Sequence, residues 1–141
     1  MAPCRLAERR LKPMNLKQAC VMVVDDQAVM RLLITGNLRG LGVQQVHAFA
    51  DGEAVLAALA ATRPDVILSD VQMQPMDGMS LVRAIRALPD PALAATRIVF
   101  LSGDDSDGTR HQAEELAVSG FVAKPPTPTM LAGMLERVLA C

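Results

Sequence analysis

The sequence predicts an α/β fold, a doubly wound parallel sheet, on three observations. Five short apolar runs alternate with segments of helical period, the first runs are β-branched and unbroken as in strands buried on both faces, and the connections are short. Parallel neighbours need helical crossovers, which are almost always right-handed, so helices should cover both faces of the sheet.

Each element has a local reason. "CVMVV" (20–24) reads as the first strand. Met30, Leu33, Ile34, Asn37, Leu38 and Leu41 recur with helical spacing and are ended by "GLG" at 40–42. "VQQVHAF" (43–49) reads as the second strand, and Ala54, Val55, Ala58 and Leu59 mark a helix that stops before Pro64. "DVILS" (65–69), "MSLVRAIRAL" (79–88) and "RIVFLS" (97–102) give a strand, a helix and a strand. A helix over about 108–118 and a strand "GFVA" (120–123) follow. In the last helix Thr127 caps the N-terminus, Pro128 takes the first turn, and Leu131, Met134, Leu135 and Val138 form the stripe.

The 141 residues fit one domain with a core of its own, without staples. Residues 1–17 hold Arg5, Arg9, Arg10, Lys12 and Lys17 against Glu8, a balance of +4, which leaves −5 to the rest of a chain of net charge −1. The expected organisation is a basic, disordered extension over 1–17 and a domain over 18–141, with Met14 as an alternative functional start. The domain has no basic field for direct nucleic-acid binding, no apolar run long enough for membrane insertion, and no signal-peptide core, so a cytoplasmic location is expected. Cys4, Cys20 and Cys141, odd in number and widely spaced, suit neither a disulfide framework nor a zinc site.

Polar residues gather where the strands end. The first strand ends at Asp25 and Asp26, the third at Asp70, the fourth at Ser102, and the fifth at Lys124. In open α/β sheets ligands bind beyond those ends at the switch point of strand order, which for the flavodoxin-like order 2-1-3-4-5 lies between strands one and three. The three aspartates therefore converge, and like charges so close call for a cation; oxygen ligands in an open site suit Mg²⁺. A competing reading makes Asp25 or Asp26 a cap of the next helix. Lys124 is the only lysine after residue 17, and its ammonium suits a phosphoryl group. Neither GxGxxG nor GxxxxGK[ST] is present, so dinucleotide and P-loop readings lack their phosphate cradle.

The motifs "VVDDQAVMR", "AFADGEAVLAAL", "DVILSDVQMQPMDGMSLV", "IVFLSG" and "GFVAKPPTPTML" resemble the receiver domain of two-component response regulators, most closely the stand-alone chemotaxis regulators, from about residue 18 onward. The resemblance implies that Asp70 accepts a phosphoryl group from a phosphohistidine on a sensor histidine kinase or histidine phosphotransfer protein. Asp25, Asp26, Asp70 and the backbone carbonyl of Gln72 would hold Mg²⁺. Ser102 and Lys124 would bind the phosphoryl group, Ser102 and Phe121 would form the switch, and Gln72 and Asp104 would tune dephosphorylation. Signalling is expected through about residues 106–139 to a separate output protein.

Departures from the family pattern are local: Pro75 sits one place later than in "MPxMDG", Pro126 replaces a frequent aromatic, and Phe121 carries no hydroxyl. Alternative readings are an intermediate carrier in a phosphorelay and, more remotely, a haloacid-dehalogenase-type phosphatase, which expects an acid where Gln72 stands. A flavodoxin-like cofactor carrier lacks stacking aromatics, and a pure scaffold would lack the aspartates or the lysine.

Overall fold

The computed structural model describes residues 15–103 and 107–140. A 3-10 turn, Leu16–Gln18, leads into β1 (Cys20–Val24); α1 (Ala28–Gly40), β2 (Gln45–Phe49), α2 (Gly52–Thr62) and β3 (Val66–Asp70) follow. The chain continues through α3 (Gly78–Arg86), α4 (Pro91–Ala94), β4 (Arg97–Ser102), α5 (Asp107–Glu115), β5 (Gly120–Ala123) and α6 (Pro128–Ala140). The five strands form one parallel sheet in the order β2-β1-β3-β4-β5, as expected. Asn15 caps the 3-10 turn and Leu16 packs on the core. The rest of the expected extension, residues 1–14, lies outside the described residues.

Alternation along the strands divides the interior into two cores. Val21, Val23, Val66, Leu68, Val99 and Leu101 face Ile34 and Leu38 of α1 and Leu131, Leu135 and Val138 of α6. Met22, Ile67, Ile98 and Phe100 face Val55 and Leu59 of α2 and Leu81, Val82 and Ile85 of α3. Every residue of β1 and β3 is buried, the physical reason for their unbroken apolar runs. β2, at the sheet edge, exposes Gln45, His47 and Ala48. It starts two residues later than expected because Val43 is drawn into the core, its N–H bonded to Leu38 O at the end of α1.

Helix ends follow local chemistry. Gly42 stops α1 in the left-handed region (φ 98°), and side chains of Asp51, Asp77 and Thr127 accept bonds from Ala54 N, Ser80 N and Met130 N. Three differences from expectation stand out. Leu33 is 40% exposed rather than core, beside Val29 at 80% and Leu32 at 73%, so α1 is apolar on two faces while the sheet covers only one. α4 is an additional turn, begun by the Asp90 cap and Pro91. α5 ends at Glu115 rather than 118, because Ala117 turns left-handed (φ 57°) and the Arg86 guanidinium holds the carbonyls of Leu116 and Ala117 as well as those of Ala94 and Thr96. Burial lowers the pKa of that guanidinium. Among the described residues, no helix is long and apolar enough to cross a membrane.

Candidate functional site

Parallel register brings the strand ends to one edge. Val24 pairs with Ser69, Asp70 with Leu101, and Ser102 with Ala123, so the residues that close β1, β3, β4 and β5 lie side by side. Lys124 N donates to Ser102 O at 3.1 Å, which fixes the lysine backbone against β4; its bond to Pro125 is cis, as is that between Gln74 and Pro75.

Carboxylate atoms of Asp25, Asp26 and Asp70 lie within 4.8 Å of one another. Asp25 is fully buried, Asp70 nearly so, and Asp26 exposed. Lys124 Nζ bridges the two buried acids, 3.0 Å from Asp25 Oδ2 and 3.2 Å from Asp70 Oδ2. Asp25 Oδ1 accepts from Gln27 N at 2.9 Å, and the Asp25 carbonyl accepts from Arg31 Nη1 at 2.7 Å. Asp26 Oδ2 accepts from Gln74 N at 3.1 Å, while Asp70 Oδ1 accepts from Gln72 N at 3.2 Å. The N-cap of α1 is Gln27, without a side-chain cap bond of its own, and Asp25 Oδ1 holds the N–H of that residue.

Burial pushes the Asp70 carboxyl up. The neighbouring Asp25 adds to the rise, and the Lys124 charge and the Gln72 N–H oppose it. For Lys124, burial alone would lower the pKa, but the close contact with the Asp25 carboxylate and the negative charges of Asp70 and Asp25 outweigh it, so the net shift is upward. The lysine is therefore an ammonium at neutral pH.

Two observations fit a hard divalent cation. Asp25 Oδ2 is buried and accepts no directed hydrogen bond, its contact being the ion pair with Lys124. The donor set is all oxygen and partly open, as Mg²⁺ with retained waters requires. A cleft of about 330 Å³ opens over the acids, lined by Gln27, Asp70, Val71, Gln72, Ser102, Gly103 and Lys124.

Phe121 lies one step away, half-buried on β5, its ring centroid 5.8 Å from that of Phe100 at 58°. Arg110 of α5 covers the ring, Cζ 4.9 Å from the centroid. A smaller cavity of about 180 Å³, lined by Ser102, Gly103, Arg110, Phe121 and Lys124 among others, adjoins the main cleft. Of the expected site residues, Asp25, Asp26, Asp70, Gln72, Ser102 and Lys124 meet at one edge and Phe121 flanks them; Asp104 lies outside the described residues.

Sequence reasoning missed Gly78. A Cβ there would overlap the Asp70 carbonyl oxygen, lie 2.9 Å from Val71 Cα and 3.1 Å from Phe100 Cε1, while Gly78 N donates to Val71 O at 2.8 Å. The glycine lets α3 start directly against the backbone that carries Asp70. Gly78→Ala is expected to cost about 1–3 kcal/mol, the range for overpacking a tight interior. Denaturant melts check this; an unchanged midpoint would show that the loop yields freely.

Residues 21–136 match the family profile described as response regulator receiver domain. The chain is 30% identical over 118 residues to the chemotaxis protein CheY of Pseudomonas aeruginosa, covering 84% of this chain and 94% of that one. Among solved structures it is similar to CheY4 of Vibrio cholerae, crystallised at low pH, with a TM-score of 0.80 and 33% identity, covering 86% of this chain and 98% of that one. It is also similar to the receiver domain of the histidine kinase CKI1 from Arabidopsis thaliana, complexed with Mg²⁺ and BeF₃⁻, with a TM-score of 0.78 and 26% identity, covering 87% and 91%. Sequence, sheet order and the convergence of carboxylates and lysine at one sheet edge agree: the chain belongs to the response regulator receiver domain family.

Proposed function

We propose that this receiver accepts a phosphoryl group on Asp70 from a phosphohistidine donor and passes the signal to a separate protein. The observation that carries the reading is Lys124 bridging Asp25 and Asp70 under an open cleft, beside a third carboxylate. A carboxylate oxygen of Asp70 attacks phosphorus; the P–N bond to the donor imidazole breaks, its electron pair stays on that nitrogen, and an acyl phosphate remains. Lys124 and Ser102 stand where equatorial phosphoryl oxygens need donors. Asp25, Asp26, Asp70 and the Gln72 carbonyl would hold Mg²⁺, which would supply charge neutralisation of the transferring group. That the CKI1 receiver was solved with Mg²⁺ and BeF₃⁻ supports the assignment.

Water then hydrolyses the acyl phosphate, with Gln72, exposed at the cleft, and Asp104 tuning its approach. The output surface spans about residues 106–139, around α5, β5 and α6, and a cytoplasmic setting suits a chemotaxis-type regulator. An intermediate carrier role in a phosphorelay differs only in return of the group to a second histidine. Acetyl phosphate with Mg²⁺ is the direct test: the intact mass should rise by one phosphoryl group, and a protein that releases phosphate without retaining the group would point to a phosphatase instead.

Coupling to the output surface should depend on Ser102. Moving a switch from 1:99 to 99:1 takes about 5.5 kcal/mol, whereas one hydrogen bond to a charged group supplies roughly 1.5–3. Ser102→Ala should therefore still be phosphorylated but lose part of its response. Partner affinity with and without a phosphoryl mimic measures this, and an equal ratio in variant and wild type would remove Ser102 from the switch.

A further inference from the structure

Two of the three clustered acids ride on the turn between the sheet and α1. β1 ends at Val24, so Asp25 and Asp26 lie beyond the paired strand, and Asp25 N still donates to Phe49 O at 3.2 Å. The helix that follows begins poorly: its N-cap is Gln27 without a side-chain cap bond, and its first turn carries no acid. Arg31 stands at the end of that turn, where a positive charge opposes the helix dipole. What the position lacks in local favour it recovers by reaching back. Arg31 is half-buried, and its Nη1 donates to the Asp25 carbonyl at 2.7 Å. Asp25 Oδ1 in turn accepts from Gln27 N at 2.9 Å. Turn and helix start therefore hold each other through Asp25, the fully buried member of the acid cluster.

We propose that Arg31 is a positioning residue that sets the metal preference of the site, favouring Mg²⁺ over Ca²⁺ by bracing Asp25. This rests on the reading that Asp25, Asp26 and Asp70 hold Mg²⁺. Mg²⁺ demands near-ideal octahedral geometry at about 2.0–2.1 Å, whereas Ca²⁺ takes about six to eight oxygens at about 2.3–2.6 Å in a flexible shell. A site whose deepest carboxylate cannot shift favours the smaller ion. One that gives way loses more for Mg²⁺ than for Ca²⁺. Asp70 closes β3 and is held by the sheet, so the turn that carries Asp25 is where a side chain outside the cluster can change the geometry.

The other role open to Arg31 is electrostatic, as a cation near the acids that repels any divalent ion. The two roles differ in sign and in selectivity. Removing a repelling charge tightens both ions alike, because both carry the same charge, whereas removing a brace weakens Mg²⁺ and narrows its advantage. Loss of mere support for the fold lowers both affinities together and leaves their ratio as it was.

The test is calorimetric titration of the full chain with Mg²⁺ alone and with Ca²⁺ alone, in wild type, Arg31→Met and Arg31→Lys. Arg31→Met keeps a long unbranched stem and deletes both charge and donor. It should weaken Mg²⁺ by about tenfold, the usual scale for removing a group that orients a metal ligand, and Ca²⁺ by less. Arg31→Lys retains a charge and a donor, and a single bond to a carbonyl does not need the planar fork, so part of the Mg²⁺ loss should be recovered. The two ions are compared within one protein, so a variant that is partly unfolded still reports the ratio. An unchanged ratio in Arg31→Met, or tighter binding of both ions, overturns the brace and leaves the metal site standing. Absence of Mg²⁺ binding by wild type overturns the metal reading and the brace with it, which separates the two failures.

Discussion

Asp70→Asn is expected to lose all phosphoryl labelling and, without divalent cation, to melt higher than wild type. Both effects have one origin, the placement of a nearly buried carboxylate beside fully buried Asp25 with one ammonium for the pair. The amide cannot form the acyl phosphate, so labelling by acetyl phosphate with Mg²⁺ should vanish rather than decline; label of wild-type intensity on the variant would place the acceptor elsewhere. Stability moves the other way because burial, then Asp25, raises the Asp70 pKa over the opposing effect of Lys124. A carboxyl with a raised folded-state pKa contributes its full stability below the unfolded value, and the contribution is lost as the pH rises through the folded value. Above the unfolded value, ionising wild-type Asp70 therefore works against the fold, and the near-isosteric amide avoids that cost. A gain of about 1 kcal/mol would appear as a melting shift of a few degrees. It should fade as the pH falls and Asp70 takes up its proton. A shift that persists unchanged in acid would mean that the charge is not its cause.

Much of this site is legible in the sequence because strand-end chemistry is local. Apolar runs define the strands, the next polar residue lies at the carboxyl edge, and four such ends name Asp25, Asp26, Asp70, Ser102 and Lys124. What resists reading is set by tertiary neighbours. Arg86 looks like a solvated residue at a helix end, yet it answers four carbonyls from segments up to 31 positions away. Gly78 reads as part of an Asp77 cap, whereas its necessity comes from the carbonyl of Asp70 and the ring of Phe100. Arg110 meets Phe121 only because α5 lies against β5. Leu33 fits the helical period, but a period cannot say how wide a face the sheet will cover. The α4 turn was signalled, since Asp90 before Pro91 is a cap followed by a first-turn proline; its four residues are too few to show a period.

Lys124→Met is expected to have the largest effect on stability, and Mg²⁺ should partly reverse it. Replacing a whole buried ion pair with apolar groups can be neutral, but removing one partner strands the other, at about 3 kcal/mol or more. Here the stranded group is Asp25, fully buried, whose Oδ2 has no directed hydrogen bond and faces the lysine at 3.0 Å. Without the ammonium the opposing influence on Asp70 also disappears, so its carboxyl rises further and the deficit should shrink as the pH is lowered. A divalent cation held by Asp25, Asp26 and Asp70 would then be the main positive charge facing these acids, and binding to the folded state stabilises in proportion to its occupancy. The melting temperature should therefore rise more steeply with Mg²⁺ concentration in Lys124→Met than in wild type. Labelling by a phosphodonor should fall sharply even at saturating Mg²⁺ if, as proposed, this ammonium neutralises an equatorial oxygen. A variant that melts with wild type in the absence of metal would show that Lys124 does not balance the buried acids. Equal Mg²⁺ responses in the two proteins would show that lysine and metal do not share the same carboxylates.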